Sequence, residues 1–96
     1  MEKALLITYD LCGKSKNYDN LINSIKSNCS YWLNLMESCW VVITSDSCKS
    51  IRNTLSKFID DDDRLFVCEL EGTASWINVY CDSDLLKAKI ESTVRK

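Results

Sequence analysis

Apolar and polar positions along this chain change rhythm every few residues, and the changes mark out short elements. Residues 4–9 (ALLITY) are apolar or β-branched on both faces and too short for a helix, and they run into a carboxylate at Asp10. That is the pattern of a strand covered on both sides. Gly13 then permits a turn. Tyr18, Leu21, Ile22 and Ile25 recur at i, i+3, i+4 and i+7 and predict a helix over 18–27, with Ser15 or Asn17 as its N-cap and Asn28 near its end. Residues 30–35 (SYWLNL) and 39–44 (CWVVIT) predict two strands of a hairpin joined through Met36, Glu37 and Ser38. Asp46 and Ser47 offer an N-cap to a second helix whose stripe is Cys48, Ile51, Leu55, Phe58 and Ile59. Residues 65–70 (LFVCEL) predict a fourth strand, and residues 74–80 (ASWINVY) a short fifth strand or an ordered extension. Leu86, Ile90 and Val94 share one face of a final segment that Asp82 or Ser83 can cap, although its length and lysines equally suit a frayed end.

The order strand, helix, strand, strand, helix, strand predicts an α+β fold: a ferredoxin-like βαββαβ sandwich, one antiparallel sheet with two helices on one face, plus a C-terminal extension. The chain reads as a single domain over 1–96, with a core of about 1–80 and a C-terminal segment at 81–96 that can be helical. In this arrangement the first and third strands lie at the sheet centre, and these are the two most apolar. Leu5, Leu6 and Ile7, then Trp40, Val41, Val42 and Ile43, then Leu65, Phe66 and Val67 supply apolar side chains to both faces. Two helices cover one face only, so the other predicts a partner, and a two-fold homodimer is the expected one.

Composition narrows the chemistry. A hydrophobic fraction of 46% and a charged fraction of 27% describe a globular chain. No apolar run approaches the roughly 18 residues of a membrane span, and the first residues lack the features of a signal peptide, so no membrane partner and a cytoplasmic location are expected. There are six cysteines, no CxxC pair and no histidine. Reduced thiols, mostly buried, are the expected state. Cys12 stands apart because Lys14 and Lys16 share its loop and would favour its thiolate, although a small residue packed under the loop is the preferred reading. Without imidazole, any catalysis falls to carboxylate, Lys, Tyr, Ser or Cys, and any metal site is oxygen-rich, which selects Mg²⁺, Mn²⁺ or Ca²⁺. A net charge of −2 argues against broad affinity for duplex DNA. The run from Asp60 to Asp63 lacks the alternation and glycine of a calcium loop and reads as a solvated turn.

Several of these features together resemble a known group. A first strand ending in Tyr9-Asp10, two basic residues in the next loop, a helix, and a hairpin holding Glu37-Ser38-Cys39-Trp40 look like the CRISPR-associated Cas-two proteins. The pattern Trp32, Leu35, Ser38, Trp40, with the later Gly72 and Ala74-Ser75-Trp76, is closer still to the small Cas-two-like proteins labelled SinR-like, and the likeness spans residues 3–76. The virulence-associated protein D ribonucleases share the architecture. The resemblance implies a ferredoxin-like homodimer. In the members described as nucleases the strand-end Asp binds metal, and Asp10 is the matching position. Other members form a dimeric scaffold that needs no catalysis. Two departures stand out: Lys14 and Lys16 replace an Arg-rich stretch, and Met36 stands where a Gln is usual.

Two functions follow as expectations. The first is a Cas-two-like nucleic-acid-processing protein, a candidate Mg²⁺- or Mn²⁺-dependent endonuclease acting on RNA or DNA as a homodimer. Asp10 is then catalytic residue and metal ligand, since two copies across a dimer axis would supply the carboxylates such an ion needs. Lys14, Lys16 and Ser38 would contact nucleic acid. Against this, Asp10 also suits a cap on the following turn, Lys14 and Lys16 a solvated loop, and Ser38 a hairpin turn. The second is a non-catalytic dimeric scaffold or interaction protein that docks a protein partner through a sheet edge. Trp40 and Trp76 are candidates for the dimer interface, and with Trp32 for base stacking or simple core packing.

Overall fold

In a computed structural model that describes residues 1–12, 18–71 and 73–94, the chain is α+β, with a four-stranded antiparallel sheet and three α-helices among the described residues. The elements are β1 (Lys3–Asp10), α1 (Asp19–Ser27), β2 (Tyr31–Met36), β3 (Cys39–Thr44), α2 (Cys48–Leu55), a 3-10 turn (Ser56–Phe58), β4 (Arg64–Glu69) and α3 (Ser83–Val94). The sheet order is β2-β3-β1-β4, so the two most apolar strands are indeed central. Leu5 faces Val42 on one side and Glu69 on the other, and Asp10 faces Arg64.

Alternation along the strands divides the core into two layers. Leu5, Ile7, Trp40 and Val42 point to one face and pack with Leu21 and Ile25 of α1 and Ile51 and Leu55 of α2. The predicted helical stripes are thus the buried ones. The stripe of α2 ends sooner than its spacing suggests, because the 3-10 turn carries Phe58 and Ile59 on to the edge of this layer. Ser47 caps α2, its side chain accepting from the Ser50 N–H at 3.0 Å. The predicted caps of α1, Ser15 and Asn17, lie outside the described residues, and Tyr18, which precedes the helix, makes no side-chain cap.

The opposite face corrects one step of the sequence reading. Leu33, Leu35 and Val41 do not wait for a second copy: α3 lies over them, burying Leu86 completely and Ile90 nearly so. Asp82 starts this helix by accepting from the N–H groups of Asp84 (2.8 Å) and Leu85 (3.1 Å). The segment before it is not the fifth strand considered from the alternation. It is an irregular arm that touches the sheet edge where the Tyr80 N–H donates to the Leu35 carbonyl at 2.8 Å, while Trp76, Val79 and Cys81 pack into the second layer. The arm and α3 fail to look like sheet cover in sequence because α3 buries so narrow a stripe, with Leu85 left 46% exposed beside Leu86.

Candidate functional site at the end of the central strand

Asp10 closes β1, and its register partner on β4 is Arg64. The Arg64 guanidinium reaches the Asp10 carboxylate at 2.9 Å, with both side chains largely in solvent. Such an exposed pair contributes at most about 1 kcal/mol to stability. Chemically it matters more, because a cation already occupies the one carboxylate a metal would use. The same guanidinium lies 3.8 Å from the Cys12 Sγ, whose thiol donates to the Asp62 carbonyl at 3.2 Å. Thr8, Asp10, Arg64 and Phe66 line a shallow cleft of about 190 Å³, in which Phe66 is 59% exposed.

Asp63 holds this end of the molecule together. Its carboxylate accepts from the Cys12 N–H (2.7 Å), the Asp60 N–H (2.8 Å) and the Tyr18 hydroxyl (3.0 Å). It therefore ties the end of β1, the entry to α1 and the turn before β4 to a single half-buried anion. The run of four aspartates divides accordingly: Asp61 and Asp62 are exposed, as a solvated turn requires, while Asp63 is structural. No grouping of three or more His, Cys, Asp or Glu side chains suited to a metal ion occurs among the described residues. Mg²⁺ commonly takes one or two carboxylates with water and substrate phosphate. In one copy of the chain Asp10 is a single exposed carboxylate already paired with a guanidinium.

Ser38 stands near Asp10 for a structural reason. It is the second residue of the two-residue turn between β2 and β3, with φ 63°, a left-handed conformation costly for any residue but glycine, and its carbonyl accepts from the Tyr9 N–H at 3.1 Å. Asn34 secures the adjoining bulge by donating to the Met36 and Cys39 carbonyls at 3.0 and 3.1 Å. Lys14 and Lys16, read as phosphate contacts, lie outside the described residues, as does Gly72. The two tryptophans assigned to a dimer interface are used within the chain. Trp40 is 5% exposed beneath the helices, its Nε1 donating to the Tyr9 hydroxyl at 3.1 Å, and Trp76 packs into the layer under α3.

Arg64 and Asp63 are the functional-end residues that sequence reasoning passed over. Arg64 opens the fourth strand directly after the aspartates, so antiparallel pairing of the first and fourth strands would have set it opposite Asp10. All six cysteines are free thiols. Burial pushes the thiols of Cys29, Cys39, Cys48 and Cys81 above the ordinary thiol range.

Compared with known proteins, the chain matches no family model, no curated protein and no solved structure.

Proposed function

We propose that this chain is a Cas-two-like protein with a ferredoxin-like fold, acting in nucleic-acid processing as a non-catalytic scaffold. The element order βαββαβ, the strand order β2-β3-β1-β4 and a Tyr-Asp pair ending a central strand support the ferredoxin-like reading. The observation that supports the non-catalytic reading is the 2.9 Å pair between Asp10 and Arg64, beside which no further carboxylate is grouped among the described residues. A second copy is the proposed structural partner. Because α3 takes much of the second face, the association falls to what remains open: the β4 edge, with Phe66 59% exposed. Free thiols in all six cysteines suit the reducing cytoplasm such a role requires.

The runner-up, a Mg²⁺- or Mn²⁺-dependent endonuclease, is favoured by the accessibility of Asp10, which is solvent-exposed and could meet its counterpart in a dimer. One experiment decides between them. RNA and DNA are incubated with Mg²⁺ or Mn²⁺ and either the wild type or Asp10→Ala, while native mass spectrometry reports the oligomer. The scaffold reading expects a dimer and no cleavage by either protein. Cleavage by the wild type that Asp10→Ala abolishes would overturn it in favour of the nuclease.

A further inference from the structure

Beyond Asp10 and around the β2–β3 turn, a separate cleft of about 330 Å³ opens beside the entry to α1. Four aromatic residues, Tyr9, Tyr18, Tyr80 and Trp40, line it together with Leu11 and Ile22. Three polar residues converge on it as well, Asn34, Glu37 and Ser38. An aromatic-walled cleft near the lower end of the roughly 300–1,000 Å³ range of small-ligand sites has room for one flat ring system.

The hydrogen bonds already made determine what the cleft can offer. Asn34 spends both amide protons on the bulge carbonyls, so it presents only its oxygen. Tyr9 accepts from the Trp40 Nε1 and keeps its own O–H as a donor, while the Tyr18 hydroxyl is directed to Asp63. Glu37 can only accept, and Ser38 can do either. Acceptors predominate, with a donor or two among them. Outside the residues that line the cleft, the Lys26 ammonium lies 5.9 Å from the Trp40 ring centroid and 4.5 Å from that of Trp32, which is 41% exposed.

We propose that this cleft binds a nucleobase carrying an exocyclic amino group, presented by a single-stranded nucleic acid. The base stacks on the tyrosines and gives its amino protons to Glu37 and the Asn34 oxygen. Thymine and uracil offer a single ring N3–H in place of the two amino protons, so they satisfy one of the two acceptors and leave the other unpaired. Recognition through the base suits a chain of net charge −2, which has little general attraction for phosphate. The inference rests on the nucleic-acid reading above and gives it a substrate class.

The test uses the full chain labelled with ¹⁵N and titrated with oligodeoxyadenylate, oligodeoxycytidylate and oligothymidylate, and separately with AMP and CMP. Amide shifts should centre on residues 34–40 and Tyr9, with the amino-bearing oligomers roughly five- to tenfold tighter than oligothymidylate. Tyr80→Ala, at a 67% exposed position, should weaken binding about tenfold by removing one stacking surface. Glu37→Ala, also exposed, should erase the preference over thymine. Oligomer binding that neither substitution changes would overturn the cleft assignment and leave the nucleic-acid reading standing. Shifts with AMP or CMP but with no oligomer would uphold the cleft and remove the nucleic-acid reading. No shifts with any probe would remove both.

Discussion

Truncating Leu86 to alanine tests whether α3 is an integral layer of this protein. Leu86 is fully buried and packs with Leu33, Leu35, Val41 and Ile90. Removing three carbons at about 0.8 kcal/mol each forfeits roughly 2.4 kcal/mol of transfer free energy. The cavity left in a packed layer adds to this, and Leu→Ala changes in cores span roughly 2.7–5 kcal/mol. The cavity here abuts a 12-residue helix held to one face of the sheet, which can settle inward, so a value near the lower end, about 3 kcal/mol, is expected. For a domain of this size, total stability is on the order of 5–15 kcal/mol, so the loss is a large fraction of it. Leu85, next in the chain and 46% exposed, provides the control: Leu85→Ala should cost less than about 1 kcal/mol. Urea unfolding followed by circular dichroism gives both values. If the two substitutions cost the same within about 0.5 kcal/mol, α3 does not pack on the sheet in solution, and the second face is again available to a partner.

Asp63→Ala should destabilise by about 2–3 kcal/mol, because it removes the hydrogen bonds from the Cys12 N–H, the Asp60 N–H and the Tyr18 hydroxyl, whereas Asp61→Ala should be nearly neutral; thermal melts of the two compare them directly. Asp10→Ala should change stability by less than about 1 kcal/mol, so its use in a nuclease assay is not confounded by unfolding, as a denaturation curve will verify. Burial raises the thiol pKa of Cys29, Cys39, Cys48 and Cys81 in the folded chain, so the unfolded chain loses these protons first as pH rises. Their contribution to stability is fully present below the unfolded thiol value, about 8.5, and declines as pH climbs towards the folded values; urea midpoints measured from pH 7 to 10 should fall, and a flat profile would refute the sign. At pH 8, iodoacetamide followed by peptide mass mapping should find exposed Cys12 alkylated well before those four.

The sequence shows the scaffold more clearly than the site because the two depend on contacts of different range. Helix periodicity is local, so the buried stripe of Leu21 and Ile25 follows from spacing alone, whereas the central position of the first and third strands follows from the fold arrangement that the element order suggests. The cover over Leu33, Leu35 and Val41 is not local. It depends on Leu86 and Ile90, some fifty residues away, meeting a face whose apolar character is equally consistent with a dimer. Asp10 is visible as a strand-end acid, but the guanidinium that neutralises it becomes visible only once β1 and β4 are known to pair. Asp63 is hidden more thoroughly, because four identical side chains give no sign of which one turns inward. Ser38 shows the reverse case: its proximity to Asp10 is real, yet it arises from a turn carbonyl bonded to the Tyr9 N–H.

The placement of α3 also bears on how the molecule comes into being. The layer under α1 and α2 can close once β4 has been made, but Leu33, Leu35 and Val41 stay bare until residues 83–94 have left the ribosome. During that interval the nascent sheet offers an apolar face and an unpaired β4 edge to any neighbour, including other nascent copies. A pause in synthesis before α3, or loss of its last turns, should therefore produce aggregates rather than a soluble shortened protein. Docking of α3 then closes the second layer: until it docks, the sheet is covered on one side only.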